Sequence, residues 1–386
     1  MIKRKCIYLL LLVLAGLAPA GCTGRQESTN NISEEAGLLD NLSWEDMQVS
    51  ASLELKYATQ FTVDFYGEDY DLITIADNDR YLLVKNEAPV PKNLDSDIVV
   101  LTAPLSDIYI ANSAAFDFFR QLDIIDAISL VGIKPEAIYI DGINEAIARK
   151  EIVYAGKYSA PDYELILSSG CRLAVQNTML YHTPEVKEKL EKLGIPVLVD
   201  YASYETHPLG RLEWIKLYGM LTGKMDEAEK FFDDSVDIVE GFEAKEKSGN
   251  TVAFFYINSN GSVNVRKSGD YISAVIAMAG AEYILKDAED DSALSTINMQ
   301  MEEFCAVASD ADYIIYNSTV AGSIASVDEL IKKGPPLADF KAVKENHVYC
   351  TEQNLYQSVT GTADLICDIN SMINGDDDMK YLYRLR

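Results

Sequence analysis

The chain has 386 residues, with 33 Lys and Arg against 61 Asp and Glu, for a formal net charge of −28. So acidic a chain excludes nucleic acid and anionic headgroups as electrostatic partners and suits a solvated, exported protein. It is also longer than one hydrophobic core usually holds, so two lobes are expected.

The amino-terminal run "MIKRK" is basic, and "CIYLLLLVLAGLA" after it is apolar but too short to span a bilayer comfortably. Next comes "PAGC", small residues ahead of Cys22. The stretch resembles the lipobox of bacterial lipoproteins, with Pro19 where that motif prefers Leu. The resemblance implies cleavage before Cys22 and a lipid on its thiol, which places the protein on the extracytoplasmic face of the cell membrane. An ordinary signal peptide with an incidental Cys is the alternative. Loss of residues 1–22 leaves 30 basic and 61 acidic side chains, a net of −31. Residues 23–50 are polar, acidic and without periodicity, as a flexible tether would be.

Strand patterns follow in "QFTVDFYG", "LITIAD" and "RYLLVKN", a meander punctuated by Gly and Asp turns. The pattern then changes. "DIVVLTAPLS" reads as a strand, "IYIANSAAFDFFRQL" as a helix and "ISLVGI" as a strand. Helix "PDYELILSSG", strand "RLAVQN", helix "TPEVKEKLEKLG" and strand "IPVLVDY" come next. Such alternation predicts a parallel sheet with helices on its faces.

Past the middle stands "GKMDEAEKFFDDSVDIVEGFEAKEK", one long helix over residues 226–247. Asp226 is placed to cap it, and Ala228, Phe231, Phe232, Ser235, Val239 and Phe242 fall on one face. A second α/β half follows. It comprises strand "TVAFFYIN", turn "SNGSVNVRKSGD", helix "YISAVIAMAG", strand "DYIIYN", helix "SVDELIKKG", strand "HVYCTE" and helix "TADLICDINSMI". The expected fold class is α/β, two β/α lobes with central sheets flanked by helices, joined by a single long inter-lobe helix. The expected division is 1–22 signal peptide, 23–50 tether, 51–225 amino-terminal lobe with extra meander, 226–247 inter-lobe helix, and 248–386 carboxyl-terminal lobe.

Cys171, Cys305, Cys350 and Cys367 form no CxxC pair and sit in apolar runs, so free thiols are expected rather than a zinc site. His182, His207 and His347 are far apart, which argues against a His-built metal centre; His207, ahead of Pro208, reads as a helix cap. GxSxG, HExxH and phosphate-loop motifs are absent, and no nucleophile stands with a base, so no catalytic residue is assigned.

The order of these elements resembles the solute-binding proteins of ABC importers for iron chelates and vitamin B12, over roughly residues 95–375. The marks are "SAPDYELILSSGCRLAV", "KEKLEKLGIPVLVDYASYETHPLGRLEWIKLYGMLTG" and "VRKSGDYISAVIAMAGAEY". "HPLGRLEWIKLYG" is especially similar to the iron-complex subgroup. The resemblance implies a ligand cleft between the lobes and no enzymatic activity. It implies a monomer that carries a ferric siderophore or similar metal chelate to a permease and holds no cofactor of its own. Haem and cobalamin are alternative cargoes; a lipid-anchored extracellular hydrolase is the competing class.

Loops at the carboxyl ends of parallel strands are the expected ligand rims. They offer Tyr158, Tyr181, Arg211, Asn258, Asn260, Arg266, Thr319, Asn354 and Tyr356 as candidate ligand contacts. Arginine supplies a fork of donors for oxyanions, and tyrosine a flat face with one hydroxyl. Bland alternatives stand beside these: Arg266 paired with Asp270, Arg211 paired with Glu213, and the tyrosines as packing. The resemblance also implies one acidic docking site for the permease on each lobe. Glu164 matches the first, and Glu302 or Glu303 the second, where the spacing to the next strand is one residue longer than common.

Overall fold

The structure, a computed structural model, describes residues 42–243, 247–285 and 296–386. Cys22, the leader and most of the 23–50 tether lie outside the described residues.

The meander forms as expected. Strands β1 (Ala51–Ser52), β2 (Phe61–Tyr66), β3 (Tyr70–Ile75) and β4 (Asp79–Val84) are antiparallel neighbours. Strand β5 (Ile98–Thr102) was expected to open the parallel sheet; instead it joins this first sheet beside β4. One face (Phe61, Val63, Ile73, Ile75, Tyr81, Leu83) enters the main core, and the other is closed by Trp44 over Leu72, Leu82 and Val84. The outer face is covered only around Trp44, and Thr62 and Thr102 stay exposed.

The expected helix over "IYIANSAAFDFFRQL" is corrected. Ile108–Ile110 is strand β6, and only Ala115–Gln121 is helical (α1). All three residues of β6 are buried, and β6 lies between two neighbours, where side chains on both faces must be apolar. With β7 (Ile128–Val131), β8 (Val153–Tyr154), β11 (Leu173–Asn177) and β12 (Val197–Asp200) it makes a parallel sheet of order β12-β11-β6-β7-β8. A small hairpin, β9 (Gly156–Lys157) and β10 (Ala160–Pro161), follows β8. Helices α2 (Ile143–Ala148), α3 (Tyr163–Ser168) and α4 (Pro184–Lys192) complete the first lobe.

Two helices then carry the chain onward. Helix α5 (Pro208–Thr222) starts with Pro at its first turn, and His207 Nδ1 accepts from the Leu209 N–H, the expected capping role. Gly223, at φ 74°, ends it in the left-handed region, and α6 (Met225–Glu243) folds back along it. Asp226 therefore lies inside the first turn of α6, where it complements the helix dipole, and does not cap. The described part of the helix runs Met225–Glu243, Lys247 is irregular, and the rest of the expected 226–247 span lies outside the described residues. Nineteen residues give a rod of about 28 Å. Ala228, Phe232, Ser235, Val236 and Val239 are buried along it.

All strands of the parallel sheet β12-β11-β6-β7-β8 precede this helix pair, and all described strands of the third sheet follow it. That sheet has a parallel centre of β13 (Thr251–Ile257), β17 (Tyr313–Tyr316) and β18 (Val348–Thr351). Antiparallel β14 (Val263–Arg266), with β16 (Thr296–Met299) beyond it, flanks one side; short β15 (Glu282–Tyr283) runs parallel to the start of β13, and β19 (Leu382–Arg384) closes the other edge. The "SNGSVNVRKSGD" turn thus contains a strand, because Val263 and Val265 both point into the core. Helices α7 (Tyr271–Met278), α8 (Met301–Ala308), α9 (Ser318–Ala321), α10 (Val327–Lys333), α11 (Lys341–Lys344) and α12 (Thr362–Ile373) cover it. One apolar cluster runs from the meander through Trp214, Tyr218 and Phe232 to Ile272, Val275 and Ile366. The two lobes therefore share a core at the helix pair. Cys171, Cys305 and Cys350 are free thiols, Cys171 and Cys350 buried and Cys305 half-buried; Cys367 is half-buried too.

Two buried carboxylates tie the meander to α5. Glu213, fully buried, accepts from the N–H groups of Lys56, Tyr57 and Ala58 at 2.8–2.9 Å and from Lys216 Nζ at 2.8 Å. Glu205 accepts from the N–H groups of Thr59 and Gln60 and from Trp214 Nε1. Glu213→Ala strands three backbone donors and an ammonium in the core. It should cost about 3 kcal/mol in urea denaturation, and Glu213→Gln, which keeps an acceptor, clearly less.

Asp200, at the end of β12, accepts from Tyr218 Oη at 2.5 Å and from the Ala202 N–H at 2.8 Å. Burial pushes its carboxyl up from 3.8 to about 6, partly offset by those bonds and by the charge of Arg211. The folded state holds this proton more tightly than the unfolded chain. Its contribution to stability is therefore complete below pH 4, declines as pH rises towards 6 and is gone above. Asp200→Asn should remove a falling slope worth about 3 kcal/mol between pH 4 and 6, read as the wild-type minus variant difference in unfolding free energy.

Candidate ligand site between the lobes

Parallel strands end at one edge of each sheet, and the loops leaving those edges meet. The loop after β7 and the loop after β18 are joined by Gln357, whose Oε1 accepts from the Tyr139 N–H at 2.9 Å while Nε2 donates to Ala137 O at 2.8 Å. Nearby, buried Asp117 of α1 accepts from the N–H and Oγ1 of Thr360 at 2.7 and 2.6 Å, and Arg120 Nη2 donates to the same hydroxyl. The rims of the two lobes thus face each other across a shared crevice.

Within that crevice lies a pocket of about 400 Å³, lined by Tyr139, Asp141 and Asn144 from the first lobe and by Glu352, Asn354 and Lys380 from the second. Its size is that of a small-molecule site. Asn354, a predicted contact, lines it with a buried Oδ1 that accepts nothing among the described residues.

Arg211, Arg266 and Tyr356 come together deeper in. Arg266 Nη2 donates to Tyr356 Oη, its guanidinium lies 4.8 Å from the Tyr356 ring centroid, and Asn317 Nδ2 donates to the same hydroxyl at 2.9 Å. Arg266 also stands 3.5 Å from Asp270, so the pairing weighed against its ligand role exists. It is the last residue of β14, not part of a turn. Arg211 does not pair with Glu213, which serves Lys216 and the 56–58 backbone; it stacks on Tyr271 of the second lobe, 3.8 Å from the ring centroid. Burial pushes the Tyr271 hydroxyl up, against the charges of Arg211 and Arg266.

The remaining candidates sit elsewhere on the rims. Tyr181, 47 % exposed, accepts at 2.8 Å from Tyr201 Oη, and the Tyr201 ring centroid lies 5.3 Å from that of Tyr204, itself 53 % exposed. These three tyrosines give the first rim an aromatic surface. Tyr158 packs, half-buried, against the first-lobe core. Asn258 and Asn260 tie the β13–β14 turn through Ser262, with Asn258 also reaching Asn298. Thr319 Oγ1 donates to Asn317 Oδ1. Tyr139, Tyr201, Tyr204, Tyr271 and Gln357 were not singled out from the sequence. Tyr271 opens an apolar helical run and so reads as core, while Tyr201 ends the strand "IPVLVDY" and Tyr204 is one of 23 tyrosines.

Glu164 is exposed in the first turn of α3, and Glu302 and Glu303 are exposed in the first turn of α8. Both helices begin at the carboxyl edge of a strand, so each lobe presents an acidic residue at its rim. No cluster of His, Cys, Asp and Glu fit to hold a metal occurs among the described residues, and none of their helices is long and apolar enough to cross a membrane.

Comparison with known proteins agrees with this geometry. A lipoprotein of Methanocaldococcus jannaschii, itself uncharacterised, is 23 % identical over 393 residues, covering 95 % of this chain and 91 % of that one. The periplasmic haem-binding protein of Vibrio cholerae superposes with a TM-score of 0.57 at 16 % identity, over 69 % of this chain and 98 % of that one. A protein of an ABC-type Fe3+-hydroxamate transport system from Saccharomonospora viridis gives 0.52 at 19 % identity, over 70 % and 93 %. The family model described as periplasmic binding protein matches residues 120–355, more than half of the chain and beginning after the meander. Its span takes in parts of both lobes and the helix pair between them, and by that match the chain belongs to the periplasmic binding protein family.

Proposed function

We propose that this protein is the substrate-binding component of an ABC importer, that it captures an iron–siderophore-type chelate between its lobes, and that it delivers the chelate to a permease. The observation that carries the reading is the inter-lobe pocket, where the loops after β7 and β18 meet over polar and aromatic groups. Family membership supports it, as a family of solute-binding proteins that work with permeases. The predicted contacts Asn354, Tyr356, Arg266 and Arg211 supply the second-lobe wall and the floor, and the Tyr181–Tyr201–Tyr204 surface supplies a flat face on the first rim. Asn258, Asn260, Thr319 and Tyr158 are assigned to the outer rim. Haem and cobalamin are the competing cargoes. Anchoring through a lipid on Cys22 at the extracytoplasmic face fits the lipobox-like sequence and the lipoprotein relative.

Glu164 and the Glu302–Glu303 pair are assigned to permease docking, because exposed charges held on two rigid lobes set register and encounter rate more than affinity. Equilibrium dialysis against ferric trihydroxamates, ferric catecholates, haem and cobalamin should show saturable binding of a ferric siderophore at one site. Selective binding of haem or cobalamin would reassign the cargo, and no binding with turnover of a substrate would place the protein among hydrolases. In proteoliposomes carrying the cognate importer, Glu164→Ala should cut uptake by about tenfold with chelate affinity unchanged. A matched loss of affinity would move Glu164 into the cleft.

A further inference from the structure

Among the described residues, Ser129, Gln176, Tyr316 and Asn354 carry buried side-chain polar atoms with no hydrogen-bond partner. The first three lie within strands β7, β11 and β17. Asn354 lies in a loop and lines the pocket of about 400 Å³ between the lobes. Its Oδ1 is an acceptor withdrawn from water and left without a donor, a costly state until a donor arrives. The turn that carries it is fixed, since the Asn354 carbonyl accepts from the N–H groups of Gln357 and Ser358 at 2.8 and 2.9 Å. Gln357 in turn holds Ala137 and Tyr139, which sets the first-lobe loop opposite this turn.

The rest of the lining is also short of donors. The Asp141 and Glu352 carboxylates, one from each lobe, accept no hydrogen bond and pair with no cation among the described residues. Glu145 spends Oε2 on the Gly142 N–H at 2.7 Å and keeps its other oxygen. Asn144 Nδ2 is committed to Ile138 O at 2.8 Å, and Lys380 Nζ is paired at 2.7 Å with Asp364, which lies outside the lining. Three carboxylates and a buried amide oxygen thus stand against one ammonium already paired, in a chain of net charge −28. Such a wall repels a polyanionic ferric catecholate or the carboxylates of haem, and attracts a group that is positive and rich in N–H. No cluster of acids fit to hold a metal ion occurs among the described residues, so an organic cation suits the lining better than a bare metal.

We propose that Asn354, Asp141 and Glu352 form a cation subsite of the inter-lobe pocket, taking an ammonium or guanidinium arm of the cargo. The inference rests on the reading of the chain as a chelate receptor, and it narrows the cargo to ferric chelates that combine neutral iron-binding groups with a basic arm.

The test uses a linear ferric trihydroxamate ending in a free primary amine and its N-acetylated counterpart, which lacks that charge. Equilibrium dialysis reads the ratio of their affinities. Wild type should prefer the amine by about tenfold, and Glu352→Gln, Asp141→Asn and Asn354→Ala should each bring the ratio below about threefold. Glu68→Gln, which removes a charge from the β2–β3 turn of the meander, should keep the wild-type ratio. A wild-type ratio below about threefold, or one that survives all three pocket substitutions, overturns the subsite and leaves the receptor reading standing. Diaminopentane, an iron-free cation, is assayed separately by thermal shift. If no chelate binds but diaminopentane raises the melting temperature of wild type and not of Glu352→Gln, the subsite stands and the receptor reading falls. If no chelate binds and diaminopentane stabilises both proteins alike, or neither, the subsite falls as well.

Discussion

The close approach of two helices governs how the rest of the molecule can be arranged. A Cβ at Gly219 would lie 2.7 Å from Ala228 Cβ and 2.8 Å from Lys224 O, so glycine there lets α6 fold flush against α5. That contact puts the buried face of α6 against both halves of the chain, since α6 also packs on α7 and α12 of the second lobe. One continuous apolar cluster then passes beneath the pair. Parallel sheets need both faces covered, and here the helical pair covers part of each lobe at once.

A shared core limits how the lobes move. Burying apolar surface at about 25 cal/mol per Å² makes wholesale separation along the α5–α6 junction expensive. The polar contacts at the rims are of another kind. Gln357 holds Ala137 and Tyr139 with two neutral hydrogen bonds, each worth about 1 kcal/mol net, which a ligand can exchange for its own. Asp117 and Thr360, buried and charge-assisted, are the stronger rivet. The crevice is thus backed by a continuous apolar core and bridged at its front by polar contacts.

Much of the fold was legible in the sequence because buried parallel strands leave unbroken apolar runs and surface helices leave a 3.6-residue period. "TVAFFYIN", "HVYCTE" and "TADLICDINSMI" show this, the last matching its helix from Thr362 to Ile373. The failures have local causes. β6 is three residues long and runs on into Ala, Ser and Phe, which continue a plausible helix; β14 hides two valines among Gly, Ser and Asn. The site was legible in residue type and not in partnership. Arg211, Arg266 and Tyr356 were chosen from their loops, yet the stacking of Arg211 on Tyr271 and the bond from Thr360 to Asp117 join residues far apart in sequence. No periodic pattern encodes such meetings.

The way the chain enters the fold has a mechanical consequence. Trp44 is pinned under the outer face of the meander and its N–H donates to Lys92 O, while the 56–60 stretch is gripped by Glu205 and Glu213. A pull applied at residue 42 meets those two anchorages in series before reaching the crevice between the lobes. The small first sheet thus stands between the point where the described chain begins and the crevice.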